Sequence, residues 1–313
     1  MNPAHYHLLL NHFPTVAFSI GLCLFVIGLF RKSDELRRVS LVIFFITAAL
    51  TIATYVTGND AGEVVKELPG VSVALIGAHE SAALVAFVFM QVTGFFAWLA
   101  LWTWRRLSRW ANWNLAAVLV FGIVTLGLMA RAANIGGEIR HPEIADLNHP
   151  SVTEAGQAEP TLAKSWSMYV EAHSWIWPTA ETLHFIGLCM LFAVVLVVDL
   201  RIIGIGKGLL SFAALYQLLP LGMLGFTLNL ATGMAFFVAT PMQYTGFLFL
   251  LKMVLVVLGA VNVLYFMLFD EPWRVGEGDD APLRSKIVAA SAIAIWIAVL
   301  CCGHLLPFYG NSF

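Results

Sequence analysis

The chain has 313 residues, 60% hydrophobic and only 12% charged, against about 25% charged in a soluble domain, which excludes a water-soluble globular protein. A net charge of −2 excludes a nucleic-acid partner, which demands a basic surface. The four cysteines, Cys23, Cys189, Cys301 and Cys302, lie in apolar runs without CxxC or CxxCH spacing, which excludes covalently attached c-type haem and reads as small buried hydrophobes.

A helix needs roughly 20 mostly apolar residues to cross a bilayer, and at that depth every backbone group must be paired within its own segment. Eight segments qualify: about 8–30, 38–58, 73–104, 113–134, 176–200, 209–238, 243–269 and 286–308. The expected fold is an all-α polytopic membrane protein, with eight transmembrane helices in two tandem four-helix bundles. The expected divisions are a bundle over 1–134, an extracytoplasmic loop over 135–175 and a second bundle over 176–313. The N-terminus lacks a basic leader and its apolar run is long enough to span, so it reads as a retained first span.

In chain order, the first span opens with HYHLLLNHFPTVAF, carrying His5, His7 and His12, and ends at the cationic loop RKSDELRR. The second ends in YVTG, with Thr57-Gly58, and is followed by Asp60, Glu63 and Glu67 against one lysine. The third carries His79 and Glu80 near its start and ends in RRLSR. The fourth ends with Arg131 and Asn134, and Gly136, Gly137, Arg140 and His141 follow. In the connecting segment, Trp166, Trp175 and Trp177 suit an interfacial aromatic belt. The fifth span places Glu181 and His184 on one face and leads to Arg201 and Lys207. The sixth ends in LATG, with Thr232-Gly233. The seventh contains Lys252, the only charge between Gln243 and Phe269. Arg274, Arg284 and Lys286 precede the eighth, which ends near His304.

Lysines and arginines in short loops mark the cytoplasmic side. The four cationic loops fall on one side, so both termini are expected outside. The setting is then a bacterial inner membrane with the functional face towards the periplasm. Spans 1–4 and 5–8 run in the same sense, and His12 with His184, Thr57-Gly58 with Thr232-Gly233, and His79 with Lys252 line up as a parallel tandem repeat. The motifs NHFP and TG, His79 and the stretch GGEIRHPEI resemble an uncharacterised family of four-helix bacterial membrane proteins with a His-Phe-Pro motif. The stretches LHFIG, DLRIIG and FLFLLKM resemble a second uncharacterised bacterial membrane family. Neither resemblance implies a particular activity.

All nine histidines fall in the outer half of this topology or beyond it. Ionisable groups inside a membrane are costly and mark function, although each histidine also reads as a hydrogen bond to a neighbouring helix. The favoured chemistry is b-type haem, one or two per chain, held by histidines on facing helices. His12 with His79 is the first ligand pair, His184 with His304 the second, and His141 competes for a place. Arg131 and Arg140 are candidates to pair with haem propionates, and Thr57-Gly58 and Gly136-Gly137 to let backbone approach the macrocycle. With no histidine in the other half, where Met90, Met190 and Met267 read as packing, electrons are not expected to cross the membrane. They would pass between a quinol or quinone and a periplasmic cytochrome or similar carrier, within a complex of other redox subunits. Quinol protons would leave by Glu80, Glu181, Asp60 or Glu63. Lys252 needs a carboxylate, a propionate or a quinone oxygen as partner. A single E-x-x-H copy is too few for a di-iron centre. The alternatives are a copper or zinc site built on His5, His7 and His12, a cofactor-free anchor that docks a partner through 135–175, and a transporter centred on Lys252. No GxGxxG or P-loop is present.

Overall fold

The computed structural model describes residues 3–69, 71–107, 109–141, 160–207, 211–244, 246–269, 273 and 278–309. The chain divides into two compact units, Met1–Ser167 and Met168–Phe313. Among the described residues the regular structure is entirely helical. The first unit holds α1 (Pro3–Leu10), α2 (His12–Phe30), α3 (Asp34–Val65), α4 (Val73–Leu107) and α5 (Asn112–Arg140). Helix α6 (Leu162–Ala172) lies at the division. The second unit holds α7 (Ile176–Ile203), α8 (Phe212–Ala239), α9 (Phe247–Leu268) and α10 (Leu283–Tyr309). Counting α1 and α2 as one, eight helices among the described residues are long and apolar enough to cross a membrane. Lipid contact follows, and exposed side chains such as Phe30, Val16, Ile20, Phe247 and Leu283 suit it.

Local sequence explains where these helices start and stop. Between α1 and α2 the chain does not turn: Asn11 keeps helical dihedrals (φ −64, ψ −30) and its N–H donates to the His7 carbonyl at 2.8 Å. Pro14 lacks an N–H and crowds the carbonyl four residues back, at Leu10, which loosens the ladder there. The first span therefore begins near Ala4, not at residue 8, because α1 adds a helical turn of mixed polarity ahead of the apolar run. Ser33 caps α3, accepting from the Leu36 N–H at 3.3 Å, with Asp34 and Glu35 in the first turn to complement the helix dipole. Helix α3 then runs past residue 58 to Val65, and α5 past residue 134 to Arg140. Neither stretch contains a proline until Pro69 and Pro142, and helical hydrogen bonding does not require apolar side chains. The segment read as a loop over 135–175 thus includes the end of α5 and the whole of α6. Helix α7 stops at Gly204, whose φ of +118 accommodates the left-handed cap.

In the first unit α2 packs on α3, α3 on α4 and α4 on α5, and α5 returns to α2. Phe18, Phe25 and Phe44 meet at ring distances of 4.8 and 5.9 Å. Gly94 of α4 lies so close to Ala48 of α3 that a side chain there would overlap it. Gln91 donates to the Ala48 carbonyl at 2.8 Å, and buried Thr93 and Thr125 share a hydrogen bond of 3.0 Å between α4 and α5. In the second unit α7 packs on α8, α9 on α10, and α10 on α7. Gly187 and Gly225 allow α7 and α8 to touch: a Cβ at Gly225 would sit 2.7 Å from the Gly187 carbonyl oxygen. Below that crossing, Val194, Val198, Ile202, Phe212, Leu215 and Phe266 form one apolar cluster.

Candidate functional site

Consecutive spans form antiparallel hairpins, so the start of α1 meets the end of α3, and the start of α4 meets the end of α5. At the first of these junctions His7 Nδ1 lies 3.2 Å from the Thr54 carbonyl oxygen. Its ring rests on Gly58, where a Cβ would be only 2.9 Å from His7 Cε1. At the second, His79 Nδ1 lies 2.9 Å from the Ala132 carbonyl oxygen, and its ring rests on Gly136, where a Cβ would be 3.0 Å from His79 Cε1. In both, the accepting carbonyl stands four residues before the glycine, so the two share one face of the helix.

This geometry sets the tautomer. A carbonyl oxygen only accepts, so a neutral imidazole bonded to it through Nδ1 must carry its proton there, and Nε2 keeps its lone pair. Neither Nε2 makes a hydrogen bond among the described residues, and the two rings are within electrostatic reach of each other. An imidazole that donates one ring N–H to a carbonyl and presents the other nitrogen bare is the arrangement of a metal-ligating histidine.

The second unit repeats the device with changes. His184 Nδ1 is 2.8 Å from Thr232 Oγ1 on α8, and the Thr232 hydroxyl donates in turn to the Leu228 carbonyl at 2.7 Å. The threonine oxygen thus accepts from the imidazole, and Nε2 is again bare. Gly233 faces the ring, with a Cβ placed 3.6 Å from His184 Cε1. In the last hairpin the place is taken by Lys252 of α9, whose Nζ would be 3.3 Å from a Cβ at Gly303 of α10. Lys252 lies in the electrostatic field of His184 and Cys302. Phe236 sits 5.8 Å from the His184 ring, and Trp177 4.8 Å from Phe236. Just outside the spans, burial and the Glu181 carboxylate push the Tyr244 phenol up to about 12.

The other residues singled out from sequence lie apart. His12 is exposed, on the stripe shared by Val16 and Ile20, and makes no hydrogen bond or ring contact among the described residues. His5 and His304 are exposed, and His141 is exposed at the end of α5, its N–H donating to the Gly137 carbonyl at 3.0 Å. His173 bonds the Tyr169 carbonyl at 2.9 Å and lies on the Tyr169 ring. His149 and the Arg140 side chain lie outside the described residues. Arg131 lines a cleft of about 170 Å³ with Ser81, Val85, Leu128 and Leu162, and the Leu162 N–H donates to Ser81 Oγ at 3.2 Å. Glu80 lies near Tyr55, Glu63 and Lys66, and Glu63 pairs with Lys66.

Two residues stand out in the structure beyond the sequence pattern. His7, expected from sequence only as part of a copper or zinc site, continues the inward stripe of half-buried Asn11 and buried Pro14, Phe18, Leu22 and Phe25. Glu138 is 3% exposed; its Oε1 accepts from Asn134 Nδ2 at 2.8 Å, and its Oε2 has no partner among the described residues. The apolar flanks of GGEIR were the available signal. Among the described residues no group of three or more His, Cys, Asp or Glu side chains is placed to hold a metal ion.

No protein-family model, curated protein or solved structure matches the chain.

Proposed function

We propose that the protein is a haem-b electron-transfer subunit of a bacterial inner-membrane redox complex, exchanging electrons between quinol or quinone and a carrier on the periplasmic side. The observation that carries this reading is the matched pair His7 and His79. Both imidazoles are anchored through Nδ1 to the next helix at one end of the first unit, and both present a bare Nε2. Two anchored imidazoles, His7 and His79, would hold the iron of one haem, whereas a structural zinc takes four protein ligands. His7 takes the place given to His12 from sequence, because His12 stands on the exposed stripe. In this reading the two units are tandem four-helix bundles with both termini outside, and the cationic loops 31–38, 105–109, 201–207 and 274–286 are cytoplasmic.

The haem would supply a one-electron Fe(III)/Fe(II) couple. Quinol oxidation would release two electrons to the carrier and two protons, and carboxylates such as Glu80 and Glu181 would take the protons. The protein's part is to fix the imidazole tautomers and to exclude water around them.

The test is a reduced-minus-oxidised spectrum of the detergent-purified protein, with a pyridine haemochrome assay. A b-type α-band is expected in the wild type and in His12→Ala, and its loss in His7→Ala and His79→Ala. Wild-type protein without haem, purified with its native partners, would sink the reading.

A further inference from the structure

Arg131 is the only charge between Asn112 and Asn134. It is exposed on α5 and makes no hydrogen bond or ion pair among the described residues. The span Asn112–Ile139 has 28 residues, about 42 Å of helix against a hydrocarbon core of about 30 Å. Centred in the bilayer, it puts the Arg131 backbone about 6 Å inside the boundary, from where the guanidinium reaches phosphate level. A charge at that depth calls for an anionic partner.

What lies beside it is apolar. Arg131 and Ser81 are the polar side chains of the 170 Å³ cleft, and Ala78, Ala82, Val85, Leu128, Ile135 and Leu162 complete it. The Ser81 hydroxyl donates to the Gly77 carbonyl at 2.9 Å and accepts from the Leu162 N–H at 3.2 Å. A Cβ at Gly77 would be 2.8 Å from the Thr161 methyl, so the start of α6 is seated directly on α4. Among the described residues the guanidinium is therefore the uncommitted donor side chain of the cleft, and no carboxylate lines it. An occupant must bring an anion to Arg131 and an apolar tail to the walls. A phospholipid carries both, and its phosphodiester matches the guanidinium fork in charge and geometry. Free phosphate would leave the apolar walls uncovered. An ethanolamine headgroup would bring an ammonium that finds no carboxylate there, so the cleft favours a headgroup of net negative charge.

We propose that the cleft between α4 and α5 binds an anionic phospholipid, with its phosphodiester on Arg131 and one acyl chain along Ala78, Ala82, Val85 and Leu128. The site depends on neither haem nor quinol. It adjoins the His79 anchor, because Ala78 and Ile135 directly precede His79 and Gly136, whose contact seats that ring.

The experiment is native mass spectrometry of the full-length protein, delipidated in detergent and titrated with dioleoyl phosphatidylglycerol or dioleoyl phosphatidylethanolamine. The wild type should prefer phosphatidylglycerol by roughly tenfold or more. Arg131→Met should remove that preference, and Arg131→Lys should recover part of it. Ala78→Leu fills the cleft but keeps the guanidinium; it should also weaken phosphatidylglycerol binding, and it serves if Arg131→Met does not purify. Dihexanoyl phosphatidylglycerol, with the same headgroup on short chains, should bind more weakly than the dioleoyl lipid. Equal affinity of the wild type for the two dioleoyl lipids overturns the proposal, as does phosphatidylglycerol affinity unchanged in Arg131→Met or in Ala78→Leu. Dihexanoyl lipid bound as tightly as dioleoyl lipid overturns the acyl-chain cleft. Loss of haem in Arg131→Met with lipid binding intact overturns it too, and would return Arg131 to a haem propionate.

Discussion

His7 and His12 sit five residues apart, and that offset decides which of them faces inward. Counting back from Phe25 through Leu22, Phe18, Pro14 and Asn11 at three- and four-residue steps leads to His7, whereas His12 falls in step with exposed Val16 and Ile20. The stripe was legible in the sequence, but the apolar run begins at Leu8 and hides the turn before it. His79 follows the same logic with Leu75, Ala82, Ala86 and Met90, and His184 with Gly187, Leu191 and Val194, so those two were found. What no linear pattern shows is the glycine under each ring, because Gly58 and Gly136 lie on different helices from the imidazoles they carry. Gly58→Ala should therefore act on His7 from a distance. The new methyl stands 2.9 Å from the ring, and overpacking of this kind costs about 1–3 kcal/mol. On the proposed haem reading, the expected outcome is a folded protein with reduced haem occupancy in the pyridine haemochrome assay. A Gly127→Ala control, where nothing lies within 4 Å, should keep full occupancy.

The length of each span was readable from hydropathy and its ends were not, because prolines and caps stop a helix where polarity alone does not. Pairing between helices depends on small residues whose role appears only when the partner is known. Gly94 against Ala48 is such a contact, and Gly94→Leu should lower the thermal midpoint in detergent by far more than Gly127→Leu, read by the loss of helical circular dichroism. The Thr93–Thr125 bond is a milder link: an interhelical hydrogen bond in a membrane protein averages about 0.6 kcal/mol. Thr125→Val should move the midpoint by no more than that implies. Away from the spans, Asp280 accepts from Lys286 at 2.9 Å and pairs with Lys207 at 2.5 Å. These lysines hold its carboxyl down to about 2, from an ordinary 3.8. A depressed carboxylate stabilises the fold above its ordinary value and loses that contribution as pH falls through the lowered one. Protease resistance of the 278–282 connection should thus hold down to about pH 4 and fall towards pH 2, whereas Asp280→Asn should be weaker throughout and show no such step.

Across the whole chain, the four hairpins carry one device in three forms: imidazole on a backbone carbonyl twice, imidazole on a threonine hydroxyl once, and ammonium beside a glycine once. The sequence aligned His79 with Lys252 and His12 with His184, but in the structure it is His7, not His12, that is anchored to the next span as His184 is. The pairing of each odd span with the even span after it was not legible in the sequence. In the last hairpin of the second unit Lys252 stands beside Gly303 where the first unit has His79 against Gly136. The haemochrome assay should return one haem per chain, not two. Orientation is open to a direct check: single cysteines placed at Ser33 and at Glu67, in a background without the native cysteines, should differ in labelling by an impermeant maleimide on intact spheroplasts. Glu67→Cys should react and Ser33→Cys should not.

Each imidazole is locked within its own hairpin and not across the unit. As a chain leaves the ribosome and enters the bilayer, the His7 lock needs only the first two spans, and the His79 lock only the next two. Each can close before any later helix exists. The two Nε2 atoms are then already oriented when the first unit comes together, so any ligand they hold would meet imidazoles fixed during biosynthesis.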